Sequence, residues 1–82
     1  MNPSRLSTID ARDAYSYAKR VGHRIPGLEH IILRSPYWSR TYAIDVIRGR
    51  WPVAENTINE GSIFVRNSYW AMVNGVNDNG TI

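Results

Sequence analysis

Cysteine is absent from the 82 residues, which excludes disulfides, thiolate metal sites and a cysteine nucleophile. Lysine is nearly absent: Lys19 stands alone beside nine arginines, and seven acids leave a net charge of only +3. Phenylalanine occurs once, at Phe64. No run of about 18 apolar residues is present, and the opening MNPSRLSTIDARD lacks the apolar stretch of a secretory leader. These absences predict a soluble, cytoplasmic protein that does not enter a membrane. A chain this short forms one domain at most. It buries only about 60% of its unfolded surface, so modest stability is expected.

Arginine and large aromatics are what the chain has in quantity. Three Trp and five Tyr accompany the nine Arg. Arg presents a planar fork to carboxylate or phosphate and stacks on rings, so such a surface suits contact better than a lysine surface would. The same residues also serve a plainer purpose, with Arg solubilising a surface whose core needs bulky rings.

The chain repeats itself. Asp10 through Tyr17-Ala18 to Val21 matches Ser35 through Tyr42-Ala43 to Val46 at an offset of 25 residues. One residue is inserted before Arg50. Arg24-Ile25-Pro26 and Glu29 then meet Arg50-Trp51-Pro52 and Glu55 at an offset of 26. A third start follows at Ser62, 27 residues after Ser35, with Tyr69 in the place of Tyr42. Self-similarity at such a period marks stacked supersecondary units.

Each unit reads as two helices. Asp10, Ser35 and Ser62 are N-capping types, and Pro36 suits a first helical turn. Ala11, Ala14, Tyr15 and Ala18 trace an apolar stripe, as do Ser39, Ala43, Val46 and Ile47. Gly22 and Gly49 are placed to end a helix through a left-handed residue, and Pro26 and Pro52 to start the next. The string GRWP at 49–52 is therefore mainly a corner, with Trp51 or Ile25 plugging it. Arg24 and Arg50 read either as ion-pair partners across the corner or as ligand contacts. The expected fold is all-α: two and a half helix-turn-helix repeats of about 26 residues at 10–75, packed as a small solenoid-like bundle. A segment at 1–9 precedes it and a mobile polar tail at 76–82 follows.

The pattern YAxxVxxGRWPxAE, carried here by Tyr42-Ala43, Val46, Gly49-Arg50-Trp51-Pro52 and Ala54-Glu55, resembles a tandem helical repeat found in many bacteriophage and some other viral proteins of unassigned role. The first copy departs from it, with His23 for Gly and Ile25 for Trp, and the third lacks its corner. The resemblance covers about residues 10–75. It implies a phage origin and an all-helical repeat fold, and it implies no catalytic residues.

No constellation for chemistry stands out. His23, His30 and Glu29 match no acid–base or metal spacing, and no phosphate loop, nucleophile elbow or carboxylate pair is present. The expectation is a non-enzymatic protein without cofactor or metal. The contact candidate is RSPYWSR at 34–40, where Arg34, Tyr37, Trp38 and Arg40 occupy a predicted helix start, extended by Arg48 and Arg50. Exposed aromatics beside Arg make a protein-binding hot spot. The same pairing stacks bases and holds phosphates of RNA or single-stranded DNA. Trp38 reads equally as core between units. Given the resemblance, the leading expectation is a phage accessory protein in the host cytoplasm. It would dock on a host protein, such as a defence nuclease or toxin, and inhibit or redirect it. RNA or single-stranded DNA binding is the alternative, which the low net charge disfavours. Ile63, Phe64, Val65, Trp70, Ala71 and Val73 crowd more than one face of the last predicted helix, which suggests a homodimer formed through it.

Overall fold

Three side-chain caps set where the long helices begin. Asp10 accepts a hydrogen bond from the Asp13 N–H at 2.9 Å, and the hydroxyls of Ser35 and Ser62 accept from the Trp38 and Val65 N–H groups at 3.2 Å. The computed structural model describes the backbone of residues 9–81 and the side chains of 9–75. Helix α1 is Ala11–Val21, α2 is Pro26–Ile32, and α3 is Pro36–Tyr42, which runs on as a π-helical turn over Ala43–Ile47. A 3-10 turn at Pro52–Ala54 leads into α4, Glu55–Asn59, and α5 spans Ile63–Thr81. The fold is all-α, with no strand among the described residues. The expected segment at 1–9 lies outside the described residues except for Ile9, and the expected mobile tail at 76–82 lies outside the described side chains.

Helix α3 is the centre of the molecule, packing on α1 and α2 and also on α4 and α5. The buried core runs through Ala14 and Ala18, Ile32, Tyr42 and Ala43, Trp51, Ile58, and Val65, Tyr69 and Val73. Small residues on α1 let its backbone come close, while the rings of Tyr42 and Trp51 fill the middle, 4.9 Å apart. Helix α5 contributes Val65, Tyr69 and Val73, one stripe at i, i+4, i+8, and leaves Ile63 and Phe64 exposed.

The two units differ in length by single residues, and each addition has a visible place. In the first unit the Gly22 N–H donates to the Ala18 carbonyl at 2.8 Å, and Gly22 takes the left-handed conformation at φ 95°. In the second, the Arg48 N–H reaches back five residues to the Ala43 carbonyl at 2.7 Å, closing a π turn. The inserted residue is absorbed there. This corrects the expectation for Gly49: the left-handed exit falls on Arg48, at φ 63°, and Gly49 has no positive φ. The wider turn delays the exit by one residue, from Ile47, the position equivalent to Gly22, to Arg48. The second addition is Gly61, between α4 and α5. A Cβ there would lie 2.7 Å from the Cβ of Pro36, so the added residue occupies a place with no room for a side chain.

Candidate functional site

The corners come first, because they decide what Arg24 and Arg50 do. At the first, Arg24 grips Glu29 with both arms, Nε to Oε2 at 2.9 Å and Nη2 to Oε1 at 3.1 Å. The hydroxyl of Tyr42 donates to the same Oε2 at 2.7 Å and accepts the Ile25 N–H at 3.0 Å. The second corner repeats the pattern atom for atom. Arg50 grips Glu55 at 2.9 Å through both contacts, and Tyr69 donates to Glu55 Oε2 at 2.8 Å and accepts the Trp51 N–H at 2.8 Å. Each clasp therefore ties one unit's corner to the next unit's helix. The guanidinium holds each carboxyl below its ordinary range, with the tyrosine hydroxyl adding to the effect against desolvation. Burial, helped by the Glu29 carboxylate, pushes the Tyr42 hydroxyl up to about 12, and burial raises Tyr69 too. Of the two readings of Arg24 and Arg50, the ion pair is the one seen, although Arg50 also lies 5.8 Å from the Trp70 ring centre.

Trp51 plugs its corner, 2% exposed, and Ile25 is half-buried at the other. The Trp51 indole N–H is buried without a partner.

The remaining candidates gather at the start of α3. Tyr37 is exposed and meets Trp38 edge-on at 4.7 Å, while Trp38 is half-buried and packs on Tyr15 at 5.1 Å. Trp38 thus serves both as packing between units and as part of the surface. The Arg40 guanidinium lies 4.7 Å from the centre of the Tyr37 ring and 5.6 Å from that of Phe64. It joins α3 to the first turn of α5, where Phe64 is 67% exposed. Arg40 Nε is buried with no hydrogen-bond partner. Arg34 and Trp38 also line, with Arg12 and Asp10, a cavity of about 500 Å3. Arg48 and Arg50 are not brought to this place. They follow the far end of the helical run 36–47, about 18 Å along its axis at 1.5 Å per residue. The six candidates fall into two groups.

Sequence reading missed two features. The Tyr–Glu clasps bridge separate units, so spacing within one unit does not expose them, although the repeated Tyr and the repeated Arg-x-Pro-x-x-Glu were both legible. Phe64 belongs beside Tyr37 only because α5 starts against the start of α3. A further cluster joins α1 to the π turn: the Tyr15 hydroxyl donates to Asp45 at 2.7 Å, and Lys19 approaches the same carboxylate at 3.9 Å. Burial and Asp45 push the Tyr15 hydroxyl up to about 12. His23 and His30 are exposed, and no group of three or more His, Asp and Glu is placed to hold a metal among the described residues. Nor is any helix of the described residues long and apolar enough to cross a membrane.

Comparison with protein-family models, curated proteins and solved structures finds no match to this chain.

Proposed function

We propose that this is a non-enzymatic binding protein that docks on another protein through the patch of Tyr37, Arg40 and Phe64. The observation that carries the reading is Arg40 between two exposed rings from different helices. Arg, Tyr and Phe fixed against each other lose little entropy on binding, and such residues dominate hot spots. Ile63, 65% exposed beside Phe64, adds apolar area and also suits a second copy of the chain. With the repeat pattern's resemblance to phage proteins, the concrete form is a phage accessory protein in the host cytoplasm that inhibits or redirects a host protein such as a defence nuclease or toxin. A photo-crosslinking residue placed at position 64 should trap one protein in bacterial cells, and Arg40→Ala should suppress the adduct. Equal trapping from exposed position 53 would sink the reading.

One observation favours a second reading. Arg12, Arg34 and Trp38 share the rim of one cavity, a combination suited to a base and its phosphate on RNA or single-stranded DNA. Asp10 on the same rim opposes it. Anisotropy of labelled single-stranded RNA and duplex DNA at about 50 and 200 mM salt separates the two, since phosphate-driven binding weakens steeply with salt.

A further inference from the structure

Tyr17, Tyr42 and Tyr69 hold equivalent positions in the three units, and two of them share one fate. Tyr42 and Tyr69 are fully buried. Each accepts the N–H of the residue between Arg and Pro of the preceding corner and donates to that corner's Glu. Tyr17 has no preceding corner among the described residues and is 52% exposed. It stands over a groove of about 440 Å3 whose other walls include Ala14, Arg20 and Leu28. The position equivalent to Leu28 in the second unit, Ala54, is fully buried, whereas Leu28 is only half-buried. The outer face of α1 is therefore shaped like a surface that the same chain covers when a corner precedes it.

We propose that this face is a docking site for a helix corner of the form Arg–(aromatic or aliphatic)–Pro–x–x–Glu presented by another polypeptide. The occupant is read from within the molecule, because the hydroxyls of the two equivalent tyrosines both engage that segment. A second copy has no corner to offer, since both of its corners are closed by its own Tyr42 and Tyr69. The partner is thus a protein whose last corner lacks a following tyrosine helix. The site is separate from the patch around Arg40 and does not depend on it.

The test follows the reactivity of Tyr17. The full chain is treated with tetranitromethane, and nitration is located by mass spectrometry, with and without the peptide GRWPVAENTIN (residues 49–59). Tyr17 should react readily in the free chain, while Tyr42 and Tyr69 resist. The peptide should protect it, and a Glu55→Gln peptide should do so about tenfold less well, as expected for loss of a hydrogen bond to a charged group. In parallel, a chain with residues 35–61 copied directly ahead of Asp10 supplies the corner in cis at high effective concentration. There Tyr17 should become as resistant as Tyr42. Tyr17 that already resists nitration in the free chain would overturn the proposal, because its own chain would then cover the face. Tyr17 that stays reactive in the extended chain would overturn it as well, whatever the peptide does.

Discussion

Gly61 and Pro36 bring the two ends of the second unit together: the proline ring, which opens α3, occupies the space a side chain on Gly61 would need. Gly61→Ala should cost about 1–3 kcal/mol, because the rigid ring and the nearby Val65 side chain must yield. Gly49→Ala, where a Cβ meets open space, should stay within about 0.5 kcal/mol of the parent. Urea unfolding midpoints check both.

The three equivalent tyrosines give a graded series. Tyr42→Phe and Tyr69→Phe each strand a backbone N–H and weaken the hold on a carboxylate, so each should cost about 1–3 kcal/mol. Tyr17→Phe should lie within about 0.5 kcal/mol. Equal effects at all three positions would mean that the clasps contribute nothing beyond ring packing.

Acid and alkali should act on opposite sides of the same clasp. The folded state depresses the Glu29 and Glu55 carboxyls. Their contribution is therefore present above the ordinary value of 4.5 and is lost as pH falls through the depressed values. Tyr42 is shifted the other way, from 10.0 to about 12. Its contribution is present below 10.0 and is lost as pH rises toward 12. Denaturant midpoints against pH should show both limbs. Glu29→Gln should flatten the acid limb, and Tyr42→Phe the alkaline one.

Arg48 sits at φ 63°, a conformation that costs a side-chain-bearing residue about 1–2 kcal/mol. Arg48→Gly should therefore stabilise the chain by about 0.5–1 kcal/mol, after allowing for the greater freedom of glycine in the unfolded state. Thermal unfolding reads the sign directly. If Arg48 also contacts a partner, the same substitution weakens binding while it strengthens the fold.

The all-α class, the caps at Asp10, Ser35 and Ser62, and the corners at Pro26 and Pro52 were legible because each rests on residues close together in sequence. Arg24 and Arg50 were half legible. An ion pair across the corner was one of two readings, with no acid named, and the tyrosine that completes it comes from the next unit, 13 residues beyond the glutamate in one case and 14 in the other. Arg48 was missed as the helix exit because a π turn leaves no compositional mark, and a glycine one residue later drew the assignment. Of the candidate surface, Tyr37, Trp38 and Arg40 were visible as neighbours on one helix start. Phe64 entered only through packing, and the distance from Arg40 to Arg48 and Arg50 emerged only from the helix between them.

The π turn and the bare Gly61 together mean that this chain keeps time by contacts and not by counting. A residue can be added before a corner or after it, and the tyrosine still arrives opposite its glutamate, because the surplus is taken up in a bulge or in a spot without a side chain. Descendants of such a chain can drift in the length of each segment while the interlock persists. Two relatives could then share every clasp and still refuse to align without gaps.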